Sequence, residues 1–170
     1  MKWIGMFMLI IGTSGTGIVM KQELYLRLGE LEEFARLLNR LKGEMEYHRL
    51  PLAELCERIC EKERGSLYQI LSDTVKSVRE SGDLAFFDVW KQCFQKYEAK
   101  MHLTGEEKDW IKDLFSYSHA SLEAQLNELE YYYEFTNKRI SELRTEVQGK
   151  GKVYITFGVM SGIMLLILFS

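Results

Sequence analysis

Proline occurs once in the 170 residues, at Pro51, and cysteine three times, at Cys56, Cys60 and Cys93. A chain so poor in helix breakers, and rich in Leu, Glu, Lys and Arg, is expected to be all-α. Three thiols make no disulfide framework. Cys56 and Cys60 sit four apart on one expected helix but lack the further Cys–His partners of a tetrahedral metal set, so they read as reduced, buried or half-buried thiols. No GxxxxGK[ST], GxSxG or HExxH occurs, which removes phosphate cradles and the familiar hydrolytic sites. His48, His102 and His119 are scattered at expected helix ends, where capping or exposure suits them better than ligation or base chemistry. No catalytic, cofactor-binding or metal residue is assigned, and the chain reads as a non-enzyme.

Both ends lack acid. All 25 Asp and Glu lie between Glu23 and Glu146. With Lys2, Lys21, Lys150 and Lys152 set aside, 18 of the 22 bases face them, a balance of −7 in the middle. That acidity excludes a nucleic-acid footprint. What the ends hold instead is apolar. Residues 3–20 and 153–169 are uncharged runs without a polar face, and at 1.5 Å per residue each reaches roughly 25–27 Å, enough for a short membrane span. Two transmembrane helices are therefore expected, within residues 1–20 and 150–170, flanking a helical body at 21–149. A competing reading makes the N-terminal run a signal peptide, with "GTSGTG" as its small-residue region. The flanking bases stand against it. Lys21, Arg27, Arg36 and Arg40 follow the first run, and Lys138, Arg139, Arg144, Lys150 and Lys152 precede the second, so the positive-inside rule puts the body in the cytoplasm. Gly158 and Gly162 form a GxxxG in the second run, and Gly12 with Thr16 a similar small-residue pair in the first; such pairs suit close helix packing in lipid, within one chain or between copies.

In the body, Leu24, Leu28, Leu31, Ala35, Leu38 and Met45 form one stripe on a long helix, with Leu41 alongside. Pro51 ends it near Tyr47–His48 and, with Leu52, opens a second helix striped by Leu55, Cys56 and Ile59 until Gly65. Ser66 is expected to cap a third, and Asp83 a fourth carrying Phe86, Phe87, Trp90, Phe94, Tyr97 and Met101. "TGEE" reads as a capping box, Thr104 with Glu107, opening a fifth with Trp110, Leu114 and Tyr117. After a polar break at 118–121, Leu122, Leu126, Leu129, Tyr133, Thr136, Ile140, Leu143 and Val147 stripe a long sixth helix, with Gly149 and Gly151 loosening its junction with the second span. Six helices with short connections predict an antiparallel six-helix bundle whose two ends return to one side, as two spans in one membrane require. The acidic faces, among them Glu30, Glu32 and Glu33, read as solvated surface. Tyr131, Tyr132 and Tyr133 are adjacent on the last helix and point to different sides, so at least one ring is expected outside the core, where partner contact is the functional alternative to burial at the bundle edge.

"EMEYHRLPLAEL", "FFDVWKQCF", "LTGEEKDWI", "SLEAQL" and "GVMSGIMLLIL" stand in this order, and in them the chain resembles the stage III sporulation protein AB family along nearly its whole length. One departure stands out. The family carries Leu-Gly-x-x-Asp ahead of the glutamine matched by Gln125, whereas Tyr117, Ser118 and Ser121 occupy that stretch here, so no role of that Asp carries over. The resemblance implies a soluble domain similar to the cytoplasmic domains of the inner-membrane platform proteins of type II secretion and type IV pili. It also implies a place in the mother-cell membrane around the forespore, within a channel complex, with a secretion-type ATPase as cytoplasmic partner. The function expected on that basis is scaffolding without catalysis. The alternative is a stand-alone membrane adaptor or sensor that binds another cytoplasmic partner and needs no ATPase.

Overall fold

The structure is a computed structural model. It describes the backbone of residues 2–48, 50–81, 85–118 and 120–169, and the side chains of residues 22–48, 50–81, 85–118 and 120–149. The described residues form six α-helices and no strand: α1 (Lys2–His48), α2 (Leu52–Lys62), α3 (Ser66–Ser81), α4 (Phe86–Tyr97), α5 (Gly105–Lys112) and α6 (Leu122–Phe169). A single 3-10 turn, Glu98–Lys100, follows α4. The all-α expectation is met.

α1 and α6 form the frame. Arg144 Nη2 donates to Glu32 Oε1 at 2.6 Å near one end of the described pair, and Lys42 meets Glu130 near the other. Partner numbers that fall on one helix as they rise on the other mean antiparallel packing. Leu31, Leu38 and Leu41 of α1, and Leu129, Ile140 and Leu143 of α6, are buried in one core, and each such leucine contributes about 1.5–3 kcal/mol by leaving water. The expected stripe misses Phe34 and Leu37, which are 1% and 0% exposed. They are buried because α2 and α3 pack on a second side of α1. α4 packs on α3, and Trp90 of α4 donates from Nε1 to the Ile111 carbonyl at 3.0 Å, fastening α5 to that layer.

The helix ends separate local signals from distant ones. Pro51 occupies the N-cap position of α2 rather than its first turn, with Leu55 N–H donating to its carbonyl at 3.1 Å. The capping box at α5 forms as expected, Glu107 N–H to Thr104 Oγ1 at 3.4 Å and Thr104 N–H to Glu107 Oε2 at 2.9 Å. The cap of α3 does not. Ser66 is its first helical residue, and the orphan Leu67 N–H is taken by Glu33 Oε1 from α1 at 2.7 Å. Glu33 is therefore a buried cap and not solvated surface. Glu32 pairs with Arg144, and Glu30 accepts from the His102 amide at 2.9 Å. At α4 the N-cap position belongs to Ala85, with no side-chain cap, while Asp83 lies outside the described residues. α4 ends at Tyr97, so Met101 is buried from beyond its helix. α6 runs unbroken through Gly149, where a Cβ would meet nothing; a lone glycine costs a helix about 1 kcal/mol and need not end it.

The expected boundaries near residues 20 and 150 fall inside α1 and α6. Among the described residues, no helix is long and apolar enough to cross a membrane. The runs 3–20 and 153–169, with Gly12, Thr16, Gly158 and Gly162, lie outside the residues whose side chains are described.

Glu33 also dictates a glycine. A Cβ on Gly65 would stand 2.3 Å from Glu33 Oε1, so Gly65→Ala must expel the carboxylate that caps α3. Urea unfolding of the variant is expected to show a loss of about 1–2 kcal/mol. Because both changes remove one interaction, Gly65→Ala is expected to add little in a Glu33→Ala background, and additive losses would show that the cap and the glycine act separately.

Candidate partner-binding surface

The thiols are withdrawn from solvent. Burial pushes the Cys56 thiol well up, and burial with the Glu57 charge pushes Cys60 up to about 11; both stay protonated at neutral pH, unsuited to attack or metal binding. Cys60 Sγ donates to the Tyr68 carbonyl at 3.4 Å, and Cys93 is buried. Among the described residues no cluster of three or more His, Cys, Asp or Glu is placed to hold a metal. His48 ends α1 near Glu44, and His102, just beyond the 3-10 turn, is tied to Glu30; His119 lies outside the described residues.

The most concentrated charge arrangement centres on Glu107, whose side chain is fully buried. Arg27 of α1 donates to it twice, Nε to Oε2 at 2.9 Å and Nη2 to Oε1 at 2.6 Å, and Arg139 Nε of α6 reaches Oε1 at 3.4 Å. With the Thr104 amide, four donors converge on one carboxylate. Burial alone would raise its pKa. The Arg27 hydrogen bonds, the Thr104 amide and the Arg27 charge outweigh that, and hold it below the usual carboxylate range. The capping-box spacing pointed to Thr104 and Glu107; Arg27 and Arg139, 80 and 32 residues away from Glu107, left no local signal. This node locks α1, α5 and α6 together near the end from which the two long helices continue toward the termini.

The three tyrosines diverge as expected. Tyr131 is 65% exposed and stacks on Phe135, centroids 6.2 Å apart, and Phe135 takes Trp110 edge-on at 4.2 Å. Tyr132 and Tyr133 are half-buried against the core, and burial with the Glu128 charge pushes the Tyr132 phenol up to about 12. Trp110 and Tyr117 are not the buried stripe of α5 that their spacing suggests. α5 ends at Lys112, and the turns that follow rotate Phe115 inward and leave Tyr117 58% exposed.

At the opposite end of the bundle, the helix junction at Pro51 and Leu52 meets the start of α6. Pro51 is exposed and Leu52 half-buried, and both line an open groove of about 330 Å³ with Met45, Leu50, Leu122 and Gln125. An apolar depression in an acidic surface is of a kind suited to protein contact.

A family model described as Stage III sporulation protein AB matches residues 2–170 of the chain. A solved structure described as "Stage III sporulation protein AB (SpoIIIAB)" shares the fold at a TM-score of 0.64 and 14% identity, covering 72% of this chain and 97% of that one. None of the curated proteins compared with the chain matches it.

Two carboxylates should move stability in opposite directions with pH. Glu107 is depressed, so its contribution is full above the ordinary glutamate pKa of about 4.3 and is lost as pH falls through its lower folded value. Glu107→Gln should cost about 2 kcal/mol at pH 7, since two guanidinium groups lose their counter-charge, and should flatten the acid limb of the stability curve. Glu128 is pushed up to about 7, mainly by burial and only partly relieved by the Ser116 hydroxyl. Its folded state holds the proton more tightly than the unfolded chain, so stability falls as pH rises from about 4.3 through about 7. Glu128→Gln should therefore gain at pH 8 and be neutral near pH 4; water reaches this carboxyl, which limits the gain to about 1 kcal/mol. Thermal unfolding across pH checks both signs.

Proposed function

The chain belongs to the stage III sporulation protein AB family, and from that premise we propose that it is a non-enzymatic platform subunit of the channel complex between mother cell and forespore, engaging a secretion-type ATPase. Residues 1–20 and 150–170 are its two membrane helices, and residues 21–149 its cytoplasmic body. The observation that carries this reading is the antiparallel pairing of α1 and α6, fixed by Glu32–Arg144 and Lys42–Glu130. It directs both helices out of one end of the body, and the uncharged runs at 3–20 and 153–169 are their continuations. Two spans can then enter one bilayer side by side, and the small-residue pairs Gly12/Thr16 and Gly158/Gly162 suit close packing there. Exposed Tyr25 and Leu26 stand at the foot of the body, where an amphipathic ring suits the lipid–water boundary. The bases that flank the runs favour the cytoplasmic side for the body.

Absence of catalysis is part of the proposal. It is supported by protonated thiols, by histidines engaged with glutamates at helix ends, and by a buried glutamate whose acceptor positions are filled with arginine and amide donors. A platform needs a rigid body with separate membrane and cytoplasmic faces, and the long helices supply one. Fold alone does not decide the partner, so the partner is the thing to test.

Native thiols are poor topological probes here, because Cys56 and Cys93 are buried and Cys60 is half-buried. Tyr131 is 65% exposed, and a Tyr131→Cys variant supplies a usable site. Impermeant maleimide should label it only after sporulating cells are permeabilised, and labelling of intact cells would reverse the assigned side. Detergent-solubilised full-length protein should retain the secretion-type ATPase through purification, with and without nucleotide. Reproducible absence of the ATPase would favour the adaptor reading over the platform.

A further inference from the structure

The end of the body farthest from the termini carries a concentration of exposed apolar side chains. Tyr47, Tyr117 and Leu122 are 86%, 58% and 36% exposed; Leu122 lines the groove, Tyr117 directly precedes Ser118 of its wall, and Tyr47 follows its Met45 by two residues in the last turn of α1. A second depression shares Leu122 and runs on between α1 and α6 past Glu46 and Glu123. The surrounding charge is predominantly negative; Lys42, which lines the second depression, is taken up by Glu130. Residues 44–57 and 113–130 contain eight carboxylates and one arginine, Arg49. Glu46, Glu54 and Glu123 are exposed and make no salt bridge among the described residues.

These facts narrow the occupant. A second copy would bring an equally acidic tip against this one, and the excess of like charge disfavours that contact. Nucleic acid and anionic lipid are repelled on the same ground. The tip also stands about 40 Å up α1 from Lys21, at 1.5 Å per residue, beyond the reach of a bilayer surface at the other end. What remains is a soluble protein segment with basic side chains around an apolar one. We infer that the groove between the Pro51 junction and Leu122 is the docking site for such a basic, apolar-tipped face on the ATPase of the platform complex. This inference rests on the platform reading. The apolar side chain seats against Leu50, Leu52 and Leu122; lysines or arginines face Glu46, Glu54 and Glu123; and Tyr47 closes over the contact as its aromatic anchor. Aromatic anchors at a water-excluding centre carry most of the affinity of such surfaces, while rim charges set approach rate and salt dependence.

The test uses full-length protein in nanodiscs and the purified ATPase, with affinity measured at about 50 and about 200 mM salt. Tyr47→Ala and Leu122→Ser change exposed positions and should each weaken binding about tenfold. The triple variant Glu46→Lys, Glu54→Lys, Glu123→Lys should weaken it about a hundredfold and abolish the salt dependence seen with the wild type. Tyr131→Ala, on the aromatic stack beside α5, should bind as the wild type does. Circular dichroism and melting temperature confirm that each variant is folded. If the wild type binds and the tip variants bind equally well, the groove is not the site; loss of binding through Tyr131→Ala alone would move it to the aromatic stack and overturn the inference. Tyr47→Cys protein that cross-links tip to tip would replace the ATPase with a second copy. A wild type that does not bind at all sinks the platform reading, and the occupant named here goes with it.

Discussion

Two helices of 47 and 48 residues lie side by side in opposite directions, and the shorter four are packed onto that pair. Neither long helix would hold its shape alone in water along the apolar stripe it carries, because helical stability in proteins comes mainly from burying such a stripe. Each supplies the surface the other needs. The ion pairs along the seam are exposed, so each contributes less than about 1 kcal/mol. They mark the register more than they create it. The register comes from interdigitated apolar side chains such as Leu38, Leu41, Leu129 and Ile140, which a slip of one helical turn would expose together.

Onto this frame the short helices are fixed by two buried glutamates that act in different ways. Glu33 lends a carboxylate oxygen to the Leu67 amide at the start of α3, where the helix dipole also favours negative charge. Glu107 closes its own capping box and then ties α5 to both long helices through Arg27 and Arg139. Burying a carboxylate is costly unless its acceptor positions are filled. Glu107 meets that condition with two guanidinium groups and an amide. Both glutamates lie on helices whose other acids face water, which is why neither stands out by composition.

That distinction explains what was legible in the sequence. Most signals carried within four residues survived: the single proline, the Thr104–Glu107 spacing, the polar break before Leu122 and the long heptad-like stripe of α6 correspond to observed features, whereas Ser66 yields its expected cap to Glu33. The all-α class and the number of helices followed from them. Signals that depend on distant partners did not survive. Phe34 and Leu37 are buried by helices that come later in the chain, and Glu33 owes its role to Gly65 and Leu67, more than thirty residues on. Tyr117 departs for another reason: the helix ends at Lys112 and the phase of its periodicity is lost beyond it, while Trp110, within the helix, packs on Phe135 of α6 at the bundle edge. Of the surface suited to partners, the tyrosine triplet could be read as one that must leave a ring outside, and Tyr131 is that ring. The groove could not be read, since it exists only where residues 45–52 and 122–125 meet.

The two ends of the body differ in a way that bears on how a platform could transmit movement. The end nearer the termini is clamped, with Arg27, Glu107 and Arg139 joining three helices through charge-assisted hydrogen bonds in a buried setting. The far end is built from a proline junction, a run of turns and half-buried leucines around an open groove. Neither α1 nor α6 contains proline, and Gly29, Gly43 and Gly149 interrupt neither helix. Two unbroken helices clamped at one end behave as a single stiff lever about 40 Å long, by the rise of an α-helix. Within the platform reading, a push at the groove would therefore tilt both helices together rather than bend the body between them. A local rearrangement at the tip, by contrast, would fall in the turns around Ser118 and at the Pro51 junction, which lie outside the two long helices. The same construction thus permits accommodation where a partner would touch and resists it along the seam through which any displacement would have to pass.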